Sequence, residues 1–222
     1  MLDQQPAENW PSRPLLAVLV ISVLTLLWAV GTSDSAKVAW FASRSAGITA
    51  YLLLGFSTIT GLLTSSRVLF RWVKPVELLE LHKVLSFVGL AAIAIHGYVL
   101  VFDTYFDYDL WQISVPFLSE YRPVEVGLGI ISGWLMLAVT LSFYMKKQIG
   151  GPKVWKMLHY TSFAVFGFGT LHGIMSGTDS GSRWMIGMYA VTGTIILFLT
   201  YVRILGGRYI PTRRRRPETP AN

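Results

Sequence analysis

Four histidines stand as two spaced pairs inside two strongly apolar stretches. His82 and His96 are 14 residues apart, His159 and His172 are 13 apart, and the 222-residue chain has no others. Histidine in the hydrocarbon core of a membrane is energetically costly and usually functional. At 1.5 Å of rise per residue each pair spans roughly 20 Å along a helix, so one site lies near each membrane face. That span is too long for both members of a pair to bind one metal. Two helices side by side could instead hold two stacked haems, each gripped by one histidine from either helix. A histidine that only hydrogen-bonds a neighbour is the ordinary alternative, and His82 and His159 stand near segment ends. Finding all four in paired spacing favours ligands.

Rotation along the helix treats the pairs differently. Fourteen residues fall about 40° short of four turns, so His82 and His96 share a face. Thirteen residues fall about 140° short, so an ideal helix does not align His159 with His172. A local irregularity would correct this, with Gly167 and Gly169 the natural places for one. Alternatively, the two sites are offset around the helix.

The elements that must position these residues are apolar. Of the residues 53% are hydrophobic and 14% charged, with no cysteine. Disulfides, thiolate metal sites, iron–sulfur clusters and covalent haem attachment are thereby excluded. Six segments are each long enough to cross a bilayer of about 30 Å. They run over Pro14–Val30, Ser45–Leu63, Leu81–Phe102, Val126–Met145, Val154–Met175 and Trp184–Leu205. The flank Met1–Arg13 lacks the basic start and cleavage site of a secretory signal, so the first segment reads as a retained helix. The expected fold is an all-α integral membrane bundle of six transmembrane helices over 14–205, with a tail at 1–13 and a basic tail at 206–222.

Basic residues collect in alternate loops. They are Arg67, Arg71 and Lys74, then Lys146, Lys147, Lys153 and Lys156, then Arg203, Arg208 and Arg213 to Arg216. The intervening loops carry Asp34, then Asp103, Asp107, Asp109, Glu120 and Glu125, then Asp179. Basic loops stay in the cytoplasm, so both termini are expected there. The net charge of +7 then reports topology and anionic lipid headgroups, not nucleic acid. Tyr105, Phe106, Tyr108, Trp111 and Phe117 among the acids of the Asp103–Glu125 loop suit a short interfacial segment, with a lid over the outer site as the alternative. Gly129 and Gly133 in GxxxG spacing read as a helix-packing signature.

Ser43-Arg44-Ser45-Ala46-Gly47, the His82/His96 pair, and Trp155-x-x-Leu158-His159 with His172 resemble the ferric-reductase-like transmembrane domain family. That family takes in ferric reductases, NADPH oxidases and the haem-binding membrane subunit of the methionine-sulfoxide reductase system. The resemblance covers nearly the whole chain. It implies haem b at two levels, on His82 with His159 and on His96 with His172. It also implies that Arg44 faces the outer haem, pairing with a propionate or an electron acceptor; a snorkelling interfacial arginine is the plain alternative. Lys83 and Arg71 could neutralise inner propionates, and Phe166 and Phe168 could fill the space between haems, though loop charge and core packing explain them equally well.

Ferric reductases and NADPH oxidases continue into a flavin- and nicotinamide-binding domain. No Gly-rich dinucleotide fingerprint follows the sixth segment here. The sulfoxide-reductase subunit shares this short form but typically lacks the inner histidine of the third segment, so His82 draws the chain towards the two-haem branch. The expectation is a membrane cytochrome b, an oxidoreductase subunit in a bacterial inner membrane. It would take electrons from a separate cytoplasmic flavin/NAD(P)H reductase and pass them to an exterior acceptor: ferric iron, oxygen, quinone or a partner oxidoreductase. Two alternatives stay open. One is a single haem at His96/His172 with flavin or quinone at the cytoplasmic side. The other is a haem-free transporter or assembly protein.

Overall fold

A computed structural model describes residues 28, 36–66, 73–103 and 108–209. The first apolar segment lies outside these residues except for Trp28, as do Met1–Arg13, Asp34, Arg67, Arg71, Tyr105, Phe106, Asp107 and 210–222. Every regular element among the described residues is helical: α1 Ala36–Ser66, α2 Pro75–Val99 with a 3-10 turn at Leu100–Phe102, α3 Leu110–Ser114, α4 Pro123–Ser142, α5 Pro152–His159, α6 Ser162–Ser176 and α7 Arg183–Tyr209.

Among the described residues four helices are long and apolar enough to cross a membrane: Val38–Ser66, Pro75–Phe102, Pro123–Ser142 and Arg183–Leu205. Their outward surfaces carry Phe56, Trp134, Leu197 and Phe198, all more than half exposed. Apolar surface of this kind belongs against lipid, and the chain is an integral membrane protein. α7 runs on through Gly206 and Gly207, so the tail expected from residue 206 opens as helix.

The fifth segment is not one continuous helix. It divides into α5 and α6, of 8 and 15 residues. Tyr160 and Thr161 form the break, where the Thr161 amide donates to the Leu158 carbonyl and the Phe163 amide to the Tyr160 carbonyl. The Thr161 hydroxyl also donates to the Leu158 carbonyl at 2.7 Å. The irregularity therefore follows His159 directly, and not at Gly167 or Gly169. A three-residue turn winds about 20° more per residue than an α-helix, which recovers part of the rotational shortfall between His159 and His172.

Helix α1 packs against α2, α6 and α7, while α4 packs against α2 and α6. Four helices thus close a ring in the order α1, α2, α4, α6, with α7 outside it against α1. The helices that carry His96 and His172, α2 and α6, are diagonal members. Leu54, Met136 and Val165 are buried together, with Leu90, Ile93 and Phe166 against them, as an apolar layer in the middle of the ring. The loop before α4 holds α3, whose N-terminus is closed by a reciprocal Asp109–Gln112 capping box. Leu110, Trp111 and Phe117 stay exposed, as suits an interfacial segment.

Candidate functional site

The ring positions all four histidines in two facing pairs. The His82 and His159 ring centroids are 6.1 Å apart, with the planes crossed at 79°. Those of His96 and His172 are likewise 6.1 Å apart, crossed at 70°. Both pairings match the spacing argument.

Three of the four imidazoles are held in the same way. His96 Nδ1–H donates to the Ser43 carbonyl at 2.8 Å. His82 Nδ1–H donates to the Ser57 carbonyl at 2.9 Å. His172 Nδ1–H donates to the Glu125 carbonyl at 2.9 Å. A carbonyl only accepts, so the proton resides on Nδ1 and Nε2 keeps its lone pair.

Each acceptor is a helix carbonyl of α1 or α4, and four residues further on stands a glycine. A Cβ on Gly47 would lie 2.9 Å from His96 Nδ1, and one on Gly61 3.2 Å from His82 Cε1. One on Gly129 would lie 2.6 Å from His172 Nδ1. The reason is local to helix geometry. The carbonyl of residue i already bonds the amide of i+4, and a side chain at i+4 would cover its second lone pair. Glycine at i+4 uncovers that lone pair and lets the ring reach it. Gly129 is therefore part of the site, correcting its reading as packing alone; Gly133 remains a packing contact, against Ile93.

This cradle was missed from sequence although its trace is there. Ser43-x-x-x-Gly47 and Ser57-x-x-x-Gly61 repeat at 14 residues, the spacing of His82 and His96. Two antiparallel helices with equal spacings bring both contacts into register. The serine hydroxyls add to it: Ser43 donates to the His96 carbonyl at 3.1 Å. Ser57 bonds Ser86 at 2.7 Å, and Ser86 donates to the His82 carbonyl.

His159 differs. Its ring makes no hydrogen bond among the described residues and stacks on Trp155, one turn earlier in α5, with centroids 5.2 Å apart and planes 29° apart. Both line a cavity of about 1060 Å³, counting the space at its open mouth. Ser57, Gly61, His82, Lys83, Tyr160 and Arg203 share its wall. Cations gather at this end. Lys146 Nζ lies 4.6 Å from the Trp155 ring. Arg203 lies 5.6 Å from the Tyr160 ring, and Lys83 pairs with Glu80 at 2.8 Å.

At the His96/His172 end, Arg44 forms an ion pair with Asp179 and lies 4.2 Å over the Trp40 ring. A guanidinium facing a propionate or electron acceptor was expected; in the structure its partner is a carboxylate of the α6–α7 loop. Phe166 belongs to the middle layer, 6.0 Å from the Tyr51 ring.

Among the described residues no three His, Cys, Asp or Glu side chains converge on one point. Each histidine pair can thus give an ion two nitrogens and no more protein donors of these types. No family model matches the chain, and no solved structure matches it.

Proposed function

We propose that the protein is a membrane cytochrome b of ferric-reductase-like type, with haem b on His82 and His159 and on His96 and His172. The observation that carries this reading is the paired geometry. An imidazole nitrogen sits about 2.0–2.1 Å from a first-row metal, so two on opposite sides of one ion put their ring centroids roughly 6.3 Å apart. The separation of 6.1 Å in both pairs fits that arrangement. One imidazole from each helix of a pair would hold a haem iron between them. Nδ1–H bonds to carbonyls fix the ring, the tautomer and the basicity of a ligating nitrogen.

Bound haem would supply a one-electron couple at each level with no position left open for substrate. The chain's own part is to present Nε2 lone pairs, hold the rings, and keep water out with the Leu54–Met136–Val165 layer. Lys83, Lys146 and Arg203 place positive charge beside the His82/His159 level. By the positive-inside rule that end is cytoplasmic, which gives six spans with both termini inside once Pro14–Val30 is counted. Electrons would enter there from a separate flavin/NAD(P)H reductase and leave at the His96/His172 end. The acceptor would be ferric iron, oxygen, quinone or a partner oxidoreductase. A bacterial inner membrane suits this layout.

One observation favours a second reading. The His82/His159 level opens on a cavity and has only one carbonyl-anchored ring, which suits flavin or quinone there and a single haem on His96 and His172. Haem content decides between them. A pyridine haemochrome assay on the purified full chain should give two b haems per chain with sharp low-spin bands. One haem supports the second reading, and none in haem-supplied protein overturns both. In a His→Ala series haem loss would mark the ligands, whereas a haem-free transporter would have no haem to lose.

A further inference from the structure

The four histidines are not equivalent, and the difference falls on one residue. His82, His96 and His172 each donate Nδ1–H to a helix carbonyl at 2.8–2.9 Å, past a glycine on the neighbouring helix. His159 has no such acceptor, and its ring is held by stacking on Trp155. No hydrogen bond fixes the indole either, since Trp155 Nε1–H is shielded from solvent and has no acceptor among the described residues.

The backbone repeats the contrast. His82, His96 and His172 lie within helices of 15 to 25 residues. His159 is the last residue of an eight-residue helix, set between the Gly150–Gly151 turn and the break at Tyr160. Gly150 and Gly151 both have positive φ, a conformation that glycine adopts without strain. A short helix between two turns constrains its terminal side chain less than the interior of a long one does. Beside it lies the open cavity, with Tyr160, Phe163 and Arg203 in its wall, so a displaced imidazole has somewhere to go.

From these contacts we infer that His159 is an exchangeable ligand: at the His82/His159 level a small neutral π-acceptor such as carbon monoxide replaces it on the ferrous iron, whereas neither histidine at the other level yields. This rests on the two-haem reading. The exchange breaks the His159 Nε2–iron bond and forms one iron–carbon bond. No electron is transferred, and His159 leaves with its lone pair and takes up no proton necessarily coupled to the step. His82 stays as the opposite ligand, fixed by the Ser57 carbonyl. Loss of an outer hydrogen bond to a ligating histidine typically weakens a metal site 10–100-fold, which sets the expected difference between the levels.

The test is a carbon monoxide difference spectrum of dithionite-reduced, haem-loaded full chain, with haem counted separately by pyridine haemochrome. Half of the haem should respond. His172→Ala, which removes the other haem, should leave that response in place, and His82→Ala should abolish it. Trp155→Ala should speed the binding at least about tenfold, with Trp155→Phe restoring the slow rate because a ring still stacks. A Trp155 that merely supports the fold would alter haem retention and leave the rate for retained haem unchanged. Two haems with no response, response by both, or response lost in His172→Ala overturns the inference and leaves the two-haem reading standing. One haem or none overturns the two-haem reading itself, and this inference with it.

Discussion

The two histidine levels have the same ring separation and different support. At the His96/His172 level both rings are anchored, one on α1 through Ser43 and Gly47, the other on α4 through Glu125 and Gly129. At the His82/His159 level one ring is anchored through Ser57 and Gly61, while the other leans on Trp155 beside a cavity. The spacing of the paired rings is thus a property of the helix ring, whereas their rigidity is decided by individual carbonyls. One level holds both of its rings on helix carbonyls. The other keeps an adaptable side at the end where the cations gather.

The largest effects should come from the ligands. His172→Ala and His96→Ala should each reduce haem from two to one per chain, because each removes one of two rigid ligands. His159→Ala should keep most of its haem, now five-coordinate on His82, and His82→Ala should not. Equal losses in His82→Ala and His159→Ala would break the comparison. Gly129→Ala should come close to His172→Ala, since the added Cβ would lie 2.6–2.8 Å from three ring atoms of His172. Haem content and low-spin band intensity read all five variants.

A smaller effect concerns potential. Nδ1–H donation makes an imidazole a stronger donor, which stabilises the ferric state and lowers the potential. With two such ligands against one, the His96/His172 level should have the lower potential. A spectroelectrochemical titration should resolve two components, and His172→Ala should remove the lower one. Loss of the higher component in that variant would reverse the assignment of rigidity to levels.

The pairing could be read from sequence, and the contrast between the levels could not, for definite reasons. The pairing of His82 with His159 and of His96 with His172 followed from spacing, because rise per residue is nearly constant in a helix. The helices of α1, α2, α4 and α7 followed from apolar runs. The break at Tyr160 did not, since hydropathy does not register a local change in backbone hydrogen bonding. The partner of Arg44 was missed because Asp179 lies 135 residues away, in a loop brought near only by the packing of α7 on α1. The cradle glycines were half visible: the Ser43/Gly47 and Ser57/Gly61 repeat was there, but its meaning depends on which helix faces it.

Arg44 offers a test of modest size at the rigid level. Its side chain and that of Asp179 are 30% and 28% exposed, so their ion pair is partly solvated. Arg44→Ala should lower stability by about 1 kcal/mol, within the range of partly exposed ion pairs, and leave haem content at two. Asp179→Asn should behave alike. If Arg44→Ala instead released the haem at His96/His172 while Asp179→Asn did not, the guanidinium would be holding a propionate, as the family resemblance implies.

The smallest effect sharpens the comparison within one helix. Gly47→Ala and Gly61→Ala place the same methyl group on α1, each against an anchored histidine of α2. The added Cβ would lie 2.9 Å from His96 Nδ1 in the first and 3.2 Å from His82 Cε1 in the second. His96 pairs with a second anchored ring, so its displacement disturbs both ligands. His82 borders the cavity and faces the adaptable His159, so it can retreat by a few tenths of an ångström. Replacing glycine by alanine in a helix also stabilises it by roughly 0.8–1 kcal/mol. That gain should nearly offset the strain at Gly61 and fall short of it at Gly47. Gly61→Ala should therefore melt within a degree or two of the parent and keep two haems, about what a residual of a few tenths of a kcal/mol allows in a chain of this size. Gly47→Ala should melt lower and lose part of one haem. Indistinguishable variants would mean that both rings can yield alike, and that the adaptability assigned to one level is a property of both.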